Sequence, residues 1–134
     1  MSDPVDRFRE ILAAAVVSGI AHLKALDGGL PVDPLGWGWQ KRNGTLLARG
    51  DHIGWVENDD LFLIPDAAYR VAEKFARDQG GTIGMAKNRL IKNMAEQGLI
   101  RSKGKTHNTV RKTVETKVRR VLHVSVSFID GCGK

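Results

Sequence analysis

The chain has 134 residues, 42% of them hydrophobic and 27% charged, which excludes a disordered polymer and fits one ordinary domain around a single core. No apolar run approaches the roughly 18 residues needed to cross a bilayer. The first residues, Met1 to Asp6, are acidic where a secretory signal would be basic, and the lone Cys132 excludes an internal disulfide, so a cytoplasmic protein that keeps away from membranes is expected.

Val5, Phe8, Ile11, Leu12, Ala15, Val16, Ile20, Leu23 and Leu26 recur at steps of three and four, which predicts one amphipathic helix over residues 4–26. Asp3 and Pro4 open it as N-cap and first-turn proline. Asp27-Gly28-Gly29 stops it, and Pro31 and Pro34 prevent its continuation. Trp37 to Arg42 and Thr45 to Arg49 flank Asn43-Gly44, the dipeptide best suited to a two-residue hairpin turn. A second pair, His52 to Val56 and Leu61 to Ile64, surrounds the polar turn Glu57-Asn58-Asp59-Asp60, so a small antiparallel sheet is expected over residues 37–64.

Pro65 and Asp66 open a second helix with Ala68, Val71, Ala72, Phe75 and Ala76 inward and Gly80-Gly81 at its end. Thr82 is placed to cap a third helix near residues 84–97, with Met85, Leu90, Ile91 and Met94 on its apolar side and Gly98 as terminator. Residues 66–97 thus read as a helix-turn-helix. A polar loop from Ser102 to Asn108 leads into two β-branched, basic runs, Thr109 to Val114 and Val118 to Val124, turning at Glu115 to Lys117. Residues 100–125 are expected as a basic β wing and residues 126–134 as a tail. The fold class expected is α+β, a winged helix-turn-helix with an N-terminal amphipathic helix and an inserted β-hairpin.

Charge is placed unevenly along this order. Residues 1–80 hold 9 Lys+Arg against 12 Asp+Glu, a balance of −3, and residues 81–134 hold 12 against 3, a balance of +9. The net charge of +6 therefore resides in the C-terminal part, where Lys87, Asn88, Arg89, Lys92 and Asn93 on the third helix, Arg101, Lys103 and Lys105 after it, and Arg111, Lys112, Lys117, Arg119 and Arg120 in the hairpin form the candidate nucleic-acid-binding set. Lysine and arginine neutralise phosphates, and asparagine and arginine can pair with base edges, although a solvated polar surface accounts for the same residues.

Trp37, Trp39 and Trp55 are read either as a stacking surface for single-stranded bases or, as residue preferences favour for Trp37 and Trp39, as part of the sheet's core face. The histidines His22, His52, His107 and His123 lack metal-ligand spacing, the acidic turn lacks the later glutamate of a calcium loop, and Gly80 to Gly84 lacks the lysine of a nucleotide loop. No metal, no cofactor and no catalytic residue is assigned, and no enzymatic activity is expected.

The opening helix ending in a turn with Ser18-Gly19, the strands around Gly54-Trp55-Val56 and Leu61 to Pro65, the helix from Asp66 and the Arg/Val-rich final hairpin resemble the C-terminal domains of relaxase or helicase-like conjugal transfer proteins of mobile elements. They are also similar to the domains behind phage and plasmid primase-helicase modules. The resemblance spans residues 5–125 and implies a winged-helix accessory domain of a DNA-processing protein, with no catalytic residue carried over and the hairpin at residues 37–49 as a departure. The function expected is binding of nucleic acid, DNA foremost. The alternative is an adaptor that docks onto a relaxase, primase or helicase, the tryptophan-bearing insertion being its contact surface.

Overall fold

A computed structural model describes residues 3–102, 104 and 107–129. Among them lie three helices and eight strands, a mixed α+β architecture: α1 (Pro4–Val17), β1 (Ala21–Lys24), β2 (Trp39–Arg42), β3 (Thr45–Ala48), β4 (Asp51–Glu57), β5 (Asp60–Leu63), α2 (Pro65–Asp78), α3 (Lys87–Glu96), β6 (Ile100–Ser102), β7 (Val110–Val114) and β8 (Lys117–Ser125). Short 3-10 turns occupy Pro34–Trp37 and Val126–Phe128. No described helix is long and apolar enough to cross a membrane.

The first helix is shorter than the periodicity predicts. Asp3 caps it through the Val5 amide at 2.9 Å, but α1 stops at Val17 rather than continuing to residue 26. Gly19 takes φ 78°, its amide donating to Val16 O at 3.2 Å and that of Ile20 to Ala15 O at 2.9 Å, which is the paired bonding of a Schellman stop. Leu23 is buried, as a helical stripe would also bury it, but it achieves this from β1, which runs parallel to β4. A three-four spacing is satisfied equally by a helix that ends and a short strand that follows. Long-range pairing decides between them.

The same double-bonded stop ends α2 at Gly80 and α3 at Gly98. Thr82, however, is not the cap of α3. That helix starts at Lys87 behind Ala86, with no side-chain cap, while the Thr82 carbonyl accepts from Arg7 Nε at 2.7 Å. Met85 precedes the helix, and its carbonyl accepts from the Tyr69 hydroxyl at 2.6 Å.

Six strands form one sheet in the order β1-β4-β5-β8-β6, with β7 paired to β8 as well; β2 and β3 form a second, separate sheet. The expected small sheet over residues 37–64 is thus two hairpins in different sheets. Asn43 and Gly44 turn the first with φ 52° and 79°, both in the left-handed region that this dipeptide tolerates. Within the large sheet β8 lies between β5 and β6, the two strands on either side of the α2–α3 pair in sequence.

Alternation along the strands divides the sheet into two faces. Leu61, Leu63, Leu122 and Val124 meet α1, α2 and α3 in the main core, where Phe8, Leu12, Val71, Leu90 and Met94 are buried. Phe62 and Trp55 point the other way and form a second cluster with Val114 and Val121 of the final hairpin. Residues 126–129, expected to begin a loose tail, belong to the main core: Phe128 and Ile129 are buried, Phe128 packs edge-on to Phe8 at 6.1 Å, and Arg9 Nε donates to the Phe128 carbonyl at 3.0 Å. Burial of such a ring contributes about 2 kcal/mol.

A row of rings crosses the second face towards β1. His22 stacks on His52 at 5.3 Å, with Trp39 edge-on to His22 and Trp55 edge-on to His52. His22 Nδ1 donates to Arg49 O at 2.9 Å and its buried Nε2 has no partner among the described residues, while His52 Nε2 donates to Gly54 O at 2.8 Å. Burial holds both rings neutral. It lowers the His22 pKa and, with Lys24 beside it, brings that of His52 down to about 4 from the usual 6.5.

Two outcomes follow for stability. As pH falls below about 6.5 the unfolded chain takes up protons that the folded rings refuse, so unfolding free energy should drop between about pH 6.5 and 4; urea titrations across that range should show a flatter profile for His52→Gln. Gly50, at φ 68°, leaves no room for a Cβ against the Ile20 carbonyl, whereas Gly44, at φ 79°, faces open space. Gly44→Ala should therefore cost about 1 kcal/mol from backbone strain alone and Gly50→Ala at least twice that in the same urea titrations.

Candidate nucleic-acid interface

The basic residues expected to act together come from α3 and the β7–β8 hairpin. On α3 the core takes Leu90 and Met94, with Ile91 half-buried, which leaves Asn88, Arg89 and Lys92 exposed on the far side. No acidic residue occupies the first turn, so Lys87 and Arg89 sit at the positive end of the helix dipole, the end at which cations are disfavoured. Lys87 is ion-paired to Asp66 in the first turn of α2, which keeps the Asp66 carboxyl below the usual carboxylate range.

In the hairpin, Arg111 lies directly opposite Arg120 and Lys112 opposite Arg119, two like-charged pairs in successive register positions. Cross-strand like charges destabilise a sheet. Lys112 and Arg119 offset this in part on the inner face, where Lys112 Nζ lies 5.0 Å from the Phe62 ring centre and Arg119 Cζ 5.5 Å from that of Trp55. Arg111 and Arg120 remain exposed on the outer face beside Val118.

Between the start of α3 and this hairpin runs a groove of about 480 Å³ with Lys87, Asn88, Thr109, Arg119 and Arg120 on its walls and Asp66 at its edge. The fold thereby gathers Lys87, Asn88, Arg119 and Arg120, with Arg111 next to Arg120 and with Arg89 and Lys92 on the open side of α3. It does not bring in all the candidates. Asn93 is half-buried, its amide donating to Met85 Sδ at 3.4 Å, so it faces away from the position needed to read a base. Arg101 is drawn to the β4–β5 turn, where it donates to Asp59 O at 3.0 Å and pairs with Asp60 at 3.2 Å. Lys117 is exposed at the end of the hairpin, and Lys103, Lys105 and Cys132 lie outside the described residues.

The tip of the hairpin is anchored. Glu115 and Thr116 make a two-residue turn with φ 50° and 69°, an unusual choice without glycine. Glu115 earns its place through two bonds to the body of the protein: its amide donates to Leu26 O at 2.7 Å and its carboxylate accepts from the buried Trp55 Nε1 at 2.9 Å. Nothing local in the sequence marks this contact, since the partners are 60 residues apart.

The tryptophans do not form a stacking surface. Trp55 is wholly buried; Trp39 is half-buried with Nε1 donating to Leu23 O at 2.8 Å; Trp37 ends a 3-10 turn, not a strand, and packs against the main core. Sequence reasoning also missed a polar chain across β5, β8 and β6: the His123 ring meets Ser102 Oγ at 2.7 Å through Nδ1 and Asp60 at 2.8 Å through Nε2. The ring stacks on Phe62 at 4.7 Å, and Asp60 is shared with Arg101. The carboxylate holds Nε2 rather than Nδ1, and Asp60, Ser102 and His123 do not line the groove between α3 and the hairpin. The chain cross-links three strands. Among the described residues no three of His, Cys, Asp and Glu are grouped as metal ligands would be.

No family model, no curated protein and no solved structure matches the chain.

Removing the Glu115 side chain leaves the buried indole N–H of Trp55 unpaired, so Glu115→Ala should lower unfolding free energy by about 1–3 kcal/mol in chemical denaturation, with Glu115→Gln retaining most of it. Thr116→Gly, which relieves the positive φ, should raise it by about 1 kcal/mol in the same measurement.

Proposed function

We propose that this chain is a winged-helix domain that binds nucleic acid, DNA foremost, without catalysing a reaction, and that it serves as an accessory module of a DNA-processing protein of a mobile element. The observation that carries the reading is electrostatic. Arg119 and Arg120, one member of each like-charged cross-strand pair, and Lys87 in the basic first turn of α3 line one groove, so two arrangements unfavourable for folding converge there. A polyanion relieves both, and sites where local rules are broken together are where function is expected.

Once β1–β4 are set aside as an insertion between α1 and β5, the order α1, β5, α2, α3, β6, β7–β8 with β8 between β5 and β6 supports the winged-helix reading. In this reading α3 presents Asn88, Arg89 and Lys92 to the nucleic acid, Arg111 and Arg120 follow the phosphate backbone, and Lys87 changes partner from Asp66 to a phosphate. The assignment to a mobile-element protein rests on the resemblance of the strand and helix motifs described above.

Fluorescence anisotropy with labelled duplex and single-stranded oligonucleotides, at about 50 and 200 mM salt, tests this reading. Affinity should fall steeply with salt. Arg89→Glu and Arg120→Glu should each weaken binding about tenfold at the lower salt, and Asp66→Asn, which frees Lys87, should strengthen it. Arg111→Glu is the most telling variant: it replaces a like pair by an opposite one, so it should weaken binding while raising unfolding free energy by a few tenths of a kcal/mol. Absence of binding at low salt, or binding indifferent to these reversals, refutes the proposal.

A further inference from the structure

The acidic part of the molecule carries a second concave surface. The segment between β1 and β2 exposes Leu30, Val32 and Leu35 at 51%, 92% and 60% of their areas, three large aliphatic side chains within six residues. Leu30 and Val32 border a cavity of about 450 Å³ whose apolar walls include Leu26, Trp37, Val56 and Val126. That volume lies in the range of sites that enclose a ligand.

The segment is not a frayed loop. The Ala25 amide donates to Gly29 O at 3.0 Å, Gly28 to Ala25 O at 2.8 Å, Gly29 to the Asp27 carboxylate at 2.8 Å and Gly36 to Asp33 O at 3.0 Å. Pro31 is buried beside the exposed Val32, and Pro34 opens the 3-10 turn that delivers Trp37 to the core. These bonds and prolines restrict the backbone on either side of Leu30 and Val32 before any partner arrives, which reduces the ordering entropy to be lost on binding.

Charge selects the occupant. Among the described residues the charged side chains on the cavity wall are Asp33 and Glu57, both acidic, and no lysine or arginine of theirs lines it. Nucleic acid is repelled there. A second copy of the chain docked face to face would set these carboxylates against each other. A segment with basic flanks is attracted.

We propose that this cavity receives a bulky apolar side chain from a protein segment in which that residue is flanked by lysine or arginine, making the surface a peptide-docking site. Trp37 and Val56 form its floor, Leu30 and Val32 its apolar rim, and Asp33 and Glu57 hold the basic flanks. The site does not depend on nucleic-acid binding, since none of its residues belongs to the α3–hairpin groove.

The test is selection of random peptides displayed on phage against the full chain, followed by titration of the enriched peptide by calorimetry. The expected result is a consensus with a large apolar residue beside Lys or Arg, binding that weakens with salt, and a loss of about tenfold for each of Val32→Asp and Glu57→Lys, which alter exposed side chains and should leave the circular dichroism spectrum unchanged. The proposal is overturned by failure to enrich a consensus, by a consensus without basic residues, or by binding that survives both substitutions. It is equally overturned if light scattering reveals a dimer that Val32→Asp abolishes, because the surface would then belong to a second copy.

Discussion

Strand β8 is shared by the helix-bearing sheet and the C-terminal hairpin. Its C-terminal half closes the sheet between β5 and β6, while its N-terminal half pairs with β7 and carries the hairpin over the opposite face. One strand thus determines both how the helices are held and where the hairpin lies. The bond from Trp55 to Glu115 completes the arrangement, because a buried indole N–H requires an acceptor and the hairpin tip supplies it. The hairpin is consequently a second layer of the fold, not an arm extended into solvent.

That layer explains how a dense basic surface is tolerated. Two of the hairpin's cations, Lys112 and Arg119, lie over aromatic rings at the inner edge. Lys87 is held by Asp66 and Arg101 by Asp60. Arg111 and Arg120 on the hairpin, and Arg89 and Lys92 on α3, are left facing solvent, and Arg120 lines the groove at the start of α3. Surface pairs of this kind contribute little to stability in water, so their arrangement speaks to what approaches the surface more than to what holds the fold. Asp33 and Glu57, with the exposed Leu30 and Val32, lie on different elements, at the segment after β1 and the β4–β5 turn. The two surfaces consequently suit partners of opposite charge.

The row His22, His52, Trp55 joins the parallel strand β1 to the sheet by ring contacts on the face away from the helices. Burial of both imidazoles favours their uncharged form. The sheet edge that carries the inserted hairpin is in this way tied to proton concentration, through burial of the imidazoles and the nearby Lys24.

Features set by neighbouring residues were legible before any fold was known. Asn43-Gly44, Gly80 and Gly98 act through their own backbone conformations, Asp3 through the amide two residues on, and the apolar spacing of α2 through the turn of a helix, so each could be placed from its surroundings in the chain. The uneven distribution of charge was equally plain. Partners far apart in the chain were not. The end of α1 at Gly19 competes with a periodicity that runs on to Leu26, and pairing of β1 with β4 resolves it. Asn93 and Arg101 have the composition of contact residues, yet Met85 and the β4–β5 turn draw them aside, and Phe128 enters the core from a stretch that reads as tail. Residue type and spacing state what a side chain is capable of; which groups meet across the sheet, and so which cations stay available to a ligand, depends on contacts between segments that no local pattern encodes.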